Sequence, residues 1–441
     1  MKQEIIDTVL NDEKEILSLI KKLVSYPSVK AKPAAKNMPF GKDCANCLEQ
    51  TLEICRSYGF ETRNLDGYVG YAEIGQGEEL IGILTHLDVV PVDNEWSLNP
   101  FKPEIKDGRL YGRGVLDDKG PAAICMHILK VINESNFPLN KRIRIIFGLD
   151  EESGWEDMEY YLKNAEIPSI GFTPDADFPI IAGEKGIINL ELTMLLNNDD
   201  IISIEGGNAL NSVPSKASAK VMINDKEYDF NVLGKSAHAS TPEVGDNVIL
   251  SLMDSIRQSY DTENVVCNNN LINFFTQKIK DDYNGKYLDF ALEDKESGKL
   301  TMNVGMIEVS DGIAKVGIDI RYPITYNQDD VIEQFEKSLK PYNFTINTLN
   351  AKKPIYFSKD NKLIKNFLKI YQESYDKDAK PIVIGGGTFA RAMDNIVAFG
   401  PLFPDSEDTG HQKDEYMSIK DIMKTTEIYT KAILYLIETK D

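Results

Sequence analysis

Leu80-Ile81-Gly82-Ile83-Leu84-Thr85 is a nearly all-apolar run that leads straight into His86-Leu87-Asp88. So short an apolar run reads as a strand covered on both faces, as inside a parallel sheet. A second run, Arg142-Ile143-Arg144-Ile145-Ile146-Phe147-Gly148-Leu149, ends in Asp150-Glu151-Glu152-Ser153-Gly154. Between them, Gly112-Arg113-Gly114-Val115-Leu116-Asp117-Asp118-Lys119-Gly120-Pro121 opens a helical stretch, Pro121–Ile132, with proline in a tolerated first-turn position. A further helix starts at Met158–Lys163. Strands alternating with helices predict an α/β domain with a mostly parallel sheet.

Working outward, residues 4–26 and 42–59 read as amphipathic helices. Cys44 and Cys47 form a C-x-x-C, but no second pair follows at zinc-ribbon spacing, and the helical periodicity around them makes both small core residues. After Gly186 the pattern changes. Ile188–Leu195, Ala217–Ile223 and Lys315–Arg321 alternate with period two, with helices near 246–257 and 329–340. Strands with one wet face predict an α+β layer covered by helices on one side only. The helical pattern returns at Leu363–Tyr375 and ends in a helix over Ser418–Glu438. The predicted organisation is therefore a catalytic domain in two parts, 1–186 and 360–441, with an inserted α+β domain over 187–359.

The formal net charge is -21, from 49 basic and 70 acidic residues, and no basic cluster stands out. That excludes a nucleic-acid binder and argues against an anionic membrane surface. The start, Met1-Lys2-Gln3-Glu4-Ile5-Ile6-Asp7, has no secretory h-region, and no run approaches a membrane span. Five cysteines, an odd number, suit a reducing compartment, so a cytoplasmic location is expected.

The chemistry lies at the strand ends. His86 and Asp88 are two apart, so an extended backbone sends both to one face, with His86 as a metal ligand and Asp88 fixing its tautomer. An Asp in Asp117-Asp118 can bridge two cations, although capping of the next helix is an ordinary use of Asp there. Glu151 and Glu152 would repel in a poorly solvated site unless a cation neutralises them. If one binds metal, the other is free to act as general base. Asp175 and His411 are candidates by position, each in a loop. His127, within Ile124-Cys125-Met126-His127-Ile128-Leu129, reads as a packed core histidine. In this order the segments point to a two-metal hydrolase.

At these residues the chain resembles the aminoacylase/carboxypeptidase superfamily of co-catalytic zinc peptidases, and within it the bacterial dipeptidase V, carnosinase-like branch. The likeness runs over nearly the whole chain. It rests on Trp96, Pro100-Phe101, Asp107-Gly108-Arg109-Leu110-Tyr111-Gly112-Arg113-Gly114 and Asp117-Asp118-Lys119-Gly120. Gly234-Lys235-Ser236-Ala237-His238-Ala239-Ser240-Thr241-Pro242, Gly386-Gly387-Thr388-Phe389-Ala390-Arg391 and Phe403-Pro404 through His411 extend it.

The resemblance implies Asp117 as the bridging ligand, followed by a cis peptide, with His86 and Asp175 on one metal and Glu152 and His411 on the other. It makes Glu151 the general base, Asp88 the orienter of His86, and His238 the group that stabilises the oxyanion. Asn211, Arg321, Gly386 and Gly387 would meet substrate, and the inserted domain would act as a lid. The implied cofactors are two divalent metal ions, zinc first, with manganese or cobalt as alternatives.

The activity so implied is a cytoplasmic, metal-dependent dipeptidase. It would hydrolyse dipeptides or short peptides with a free N-terminus, using a metal-bridging water activated by Glu151. An N-acyl amino-acid deacylase is the alternative on the same site. The extended insert would stand in for a partner subunit's lid, so a monomer is expected.

Overall fold

The computed structural model describes every residue except 94, 136, 199, 359, 440 and 441. The chain divides into two compact units. Met1–Ala182, Phe357–Ile382 and Thr388–Asp441 form the first, and Gly183–Tyr356 with Val383–Gly387 form the second. The short stretch 383–387, expected with the C-terminal segment, groups with the second unit. The expected boundary at 359 falls outside the described residues.

The first unit is an α/β layer structure. Its sheet runs in the order Glu61–Leu65, Val69–Gly75, Arg142–Gly148, Leu80–His86, Ile170–Thr173, Ile396–Ala398, Ile181–Glu184. Arg142–Gly148, Leu80–His86, Ile170–Thr173 and Ile396–Ala398 are mutually parallel neighbours, and antiparallel strands flank them. Every residue of Leu80–His86 is buried, as its apolar run requires. The helices are Lys2–Asn11, Glu13–Val24, Lys42–Ser57, Lys119–Glu134, Glu156–Asn164, Lys362–Ser374 and Ile419–Glu438. The first predicted helix is two helices, because the chain breaks at Asp12. Cys44, Cys47 and Cys55 are free and buried on one helix face, within the core that also takes Leu48, Leu52, Ile83 and Ile145. His127 is buried with Nε2 3.1 Å from Asp12 Oδ2.

The second unit is built on a seven-stranded sheet. Its order is Lys226–Leu233, Lys216–Ile223, Ile201–Gly206, Thr301–Ser310, Ile313–Tyr322, Gly186–Leu195, Thr345–Lys352, and every pairing is antiparallel. Alternate residues Ile188, Leu190, Leu192 and Val316, Ile318, Ile320 share one core with Val248, Leu252 and Ile256 of helix Val248–Thr262. Val331, Phe335 and Leu339 of helix Gln328–Leu339 join it. The period-two pattern thus marks one apolar face and one polar face. No helix among the described residues is long and apolar enough to cross a membrane.

Candidate active site

Three adjacent parallel strands end on the same side, the carboxyl edge where open α/β sheets hold their ligands. Leu80–His86 delivers His86 and Asp88, Arg142–Gly148 delivers Glu151 and Glu152, and Ile170–Thr173 delivers Asp175. Gly148 must be glycine for this convergence. A Cβ there would stand 2.5 Å from Asp157 Oδ2 and 2.8 Å from Phe389 Cζ. Asp117 comes from the turn before helix Lys119–Glu134, and His411 from a loop where its own φ is +60°.

Asp117 occupies the middle of the cluster. Its Oδ1 lies 2.9 Å from His86 Nε2 and its Oδ2 2.9 Å from His411 Nε2. His86 Nε2 also faces Asp175 Oδ2 at 3.7 Å, and His411 Nε2 faces Glu152 Oε2 at 2.9 Å. Glu151 groups with His86 and Asp175, its ligand atom within 4.8 Å of theirs. The neighbouring Asp118 points elsewhere: its Oδ2 accepts the His86 backbone N–H at 3.1 Å. The peptide between Asp117 and Asp118 is cis. Of the two adjacent acids, then, it is Asp117 that faces both imidazoles.

Asp88 serves three neighbours. Its backbone carbonyl lies 3.0 Å from His86 Nδ1, and its Oδ1 lies 3.4 Å away. The same carboxylate accepts the N–H groups of Glu151 at 3.3 Å and Glu152 at 3.1 Å. It therefore sets the turn that carries both glutamates as well as the ring of His86.

The charge balance is unfavourable without a cation. Burial pushes the carboxyls of Glu151 and Glu152 above the usual range, and neighbouring carboxylates add to it. Burial and the charge of Asp117 push Asp175 up to about 7. Burial opposes charge on His86, but its hydrogen bonds to Asp117 and Asp88 win and hold it protonated well above the usual imidazole range. Desolvation likewise opposes charge on His411, yet Asp117 and Glu152 lift it to about 11. The His411 side chain is 55% exposed, so solvent screens part of that pull. Asp117 goes the other way, held below the usual range by the two imidazoles against the cost of its burial. A set of carboxylate oxygens that repel one another, together with two imidazole nitrogens, is the donor set a divalent cation fits.

The remaining predicted residues lie in the second unit. Asn211 and His238 sit on adjacent extended segments: Ser212 bridges His238 in antiparallel register, and the Ala239 N–H donates to the Asn211 carbonyl at 2.9 Å. His238 is exposed, with Nδ1 2.6 Å from Ser240 Oγ. Arg321 is buried, its Nε 2.6 Å and Nη2 2.9 Å from the two oxygens of Asp319. Its Nη1 donates to the Gly385 carbonyl at 3.0 Å, next to the half-buried Gly386 and the exposed Gly387.

Several residues that hold the site escape a reading of motifs. Asp150 accepts Lys30 and the N–H groups of Gly154 at 3.2 Å and Glu156 at 3.1 Å. Asp157 Oδ2 accepts Leu149 N–H at 2.8 Å and Asp150 N–H at 2.9 Å. Glu415, four residues past His411, is fully buried against the glycine-rich turn. Arg113 lay in plain view in Gly112-Arg113-Gly114, and its partner Glu415 follows an exposed-looking Asp414.

Comparisons with known proteins place the chain in a family. Residues 82–435 match the family described as Peptidase family M20/M25/M40. "Putative dipeptidase YtjP" of Bacillus subtilis (strain 168) is 38% identical over 435 residues, covering 91% of this chain and 93% of that protein. Among solved structures, human carnosine dipeptidase 1 superposes with a TM-score of 0.64 at 13% identity, covering 99% of both chains. The di-peptidase Dug1p of Saccharomyces cerevisiae superposes with a TM-score of 0.63 at 12% identity, covering 100% of this chain and 99% of that one. The two structures speak to the fold, and the family match and the 38% relative speak to descent. This chain belongs to peptidase family M20/M25/M40 and is an enzyme, a metallopeptidase.

Proposed function

We propose that the chain is a dipeptidase that hydrolyses dipeptides or short peptides with a free N-terminus and works with two divalent metal ions, zinc first. The observation that carries the metal part is Asp117, whose two oxygens each meet a different imidazole at 2.9 Å. The substrate class is supported by the name of the relative that shares 38% of its residues over 91% of this chain.

In this reading Asp117 would serve both ions, His86 and Asp175 would complete one ligand set, and Glu152 and His411 would complete the other. When bound, such ions polarise a carbonyl and acidify water, the two effects amide hydrolysis needs. Glu151 takes the proton of the attacking water and passes it to the leaving amine. Its raised proton affinity suits both halves of that exchange. Asp88 holds the Glu151–Glu152 turn by their N–H groups and keeps His86 in one tautomer. His238 donates to the developing oxyanion, and the inserted unit acts as a lid. Asn211, Arg321, Gly386 and Gly387 contact substrate. Arg321 already donates to Asp319 through Nε and Nη2 and to the Gly385 carbonyl through Nη1, so its part in substrate recognition falls to the second N–H of each Nη. A cytoplasmic location and a monomeric state belong to the same proposal; the five buried free cysteines support the former.

The test is metal-stripped protein reconstituted with zinc, manganese or cobalt and assayed on a dipeptide panel beside N-acetylated amino acids. Metal-restored cleavage of dipeptides with little action on the acetylated compounds is expected. The reverse preference would make the enzyme a deacylase, and activity unaffected by stripping would sink the metal assignment.

A further inference from the structure

The ligands of the first unit come from segments far apart in sequence. Asp117 sits on the turn 112–118 and His411 on the loop 409–416, almost 300 residues later, yet one carboxylate joins them. Glu415 is 0% exposed. Its Oε1 accepts the N–H groups of Gly114 at 3.1 Å, Leu116 at 2.8 Å and Asp117 at 3.2 Å. Its Oε2 takes the Arg113 Nη1 at 2.7 Å and the Gly114 N–H again at 3.1 Å.

Arg113 then reaches across to the other loop, with Nη2 3.4 Å from the carbonyl of His411 itself. The loop is closed on its own account: Thr409 Oγ1 donates to the Tyr416 carbonyl at 3.0 Å and accepts the Tyr416 N–H at 3.1 Å. Strand Tyr416–Ser418 pairs with Arg109–Tyr111, which fixes where Glu415 leaves the backbone.

We infer that Glu415, with Arg113, is a positioning unit that sets Asp117 and His411 at the spacing the metal site needs. The inference rests on the metal reading proposed above. The chemistry specifies a carboxylate. Four donors converge on two oxygens, and only an acceptor-only group can receive them all, whereas a glutamine amide would turn an N–H₂ toward N–H groups. The turn 112–118 has few other means of holding its N–H groups inward, because Gly112 and Gly114 take positive φ of +158° and +91° and contribute no side chain. Groups that orient metal ligands from behind typically change metal affinity 10–100-fold when removed.

The experiment uses cobalt as probe on the full chain, stripped of metal, with affinity from titration and geometry from the visible absorption of bound cobalt. Glu415→Gln and the shorter Glu415→Asp are compared with the parent after circular dichroism and gel filtration show them folded. As a control, Glu73→Gln breaks a different ion pair, the half-buried Glu73 with the buried Arg144 at 2.6 Å, in the same unit. Both Glu415 variants should bind cobalt 10–100-fold more weakly with a shifted spectrum, while Glu73→Gln lowers the melting temperature and leaves cobalt affinity unchanged. Should Glu415→Gln fail to fold, Glu415→Asp decides. Parental affinity and spectrum in a folded Glu415 variant would overturn the inference, as would an equal loss in Glu73→Gln. A parent that binds no cobalt would overturn the metal reading and this inference with it.

Discussion

Stripping the metal should make the first unit sensitive to pH in a direction the site dictates. Asp175 in the metal-free chain has its pKa pushed from 3.8 to about 7 by burial and by Asp117. Its folded pKa is above its unfolded one, so the folded state holds a proton that the unfolded state has released. Stability from this group is fully present below about pH 4 and is lost as pH rises toward 7. The gap between 3.8 and about 7 is worth on the order of 4 kcal/mol. In a unit of this size that amounts to a fall of roughly 10 °C in melting temperature. His86 and His411 work in the same direction at higher pH, since both hold protons above the usual imidazole range. Divalent cations take over the role of those protons, so saturating zinc should cancel most of the fall. Asp157, raised to about 7 by burial, adds a slope of the same sign that metal does not remove. Asp175→Asn separates the two contributions. Scanning calorimetry on chelator-treated protein between pH 5 and 8 should show the parent losing stability and the variant losing less. A metal-free parent with a flat profile, or an Asp175→Asn protein with the parental slope, would refute the reasoning.

Other expectations follow from the same geometry. Glu151→Gln keeps shape without proton acceptance, so metal content should hold while turnover falls by about 10²–10⁴-fold; metal loss here but not in Glu152→Gln would exchange the two roles. Asp117→Ala removes the carboxylate shared by two imidazoles and should lower metal stoichiometry together with rate, measured by atomic absorption. His238→Ala should abolish most activity with both metals retained, and near-normal turnover would remove that imidazole from the chemistry. Gly148→Ala forces a Cβ to within 2.5 Å of Asp157 Oδ2 and should cost about 1–3 kcal/mol in urea denaturation.

The parts of this fold that sequence discloses are those where one side chain's environment repeats along the chain. Leu80–His86 is buried at every position and Ile188–Leu195 at alternate ones, and each pattern names its sheet. Strands such as Glu61–Leu65 and Thr345–Lys352 escape notice because mostly exposed edge residues leave little apolar period to read. The break at Asp12 is hidden for a related reason, since the apolar stripe continues across it through Ile5, Val9, Ile16 and Ile20. Local composition sets burial, but the partner across the sheet sets pairing.

The site divides along the same line. His86, Asp88, Glu151 and Glu152 could be named because they follow apolar strands, and parallel neighbours must end together, whereas Asp175 stood only as a loop residue until the motif likeness gave it a role. Choosing Asp117 over Asp118 from the residues alone was beyond reach, because adjacent acids differ only in which way the backbone turns each of them. The motif likeness made the choice, and the structure supplies the reason, with Asp118 committed to the His86 N–H. Glu415 is the harder case. Nothing local marks it, since an acid beside Asp414 on a glycine-bearing loop reads as solvated. Its meaning appears only when strand Tyr416–Ser418 pairs with Arg109–Tyr111 and brings it under three backbone N–H groups that no side chain of the turn could reach. A ligand is legible from the element that presents it; the group that aims a ligand is legible only from the pairing that closes the loop.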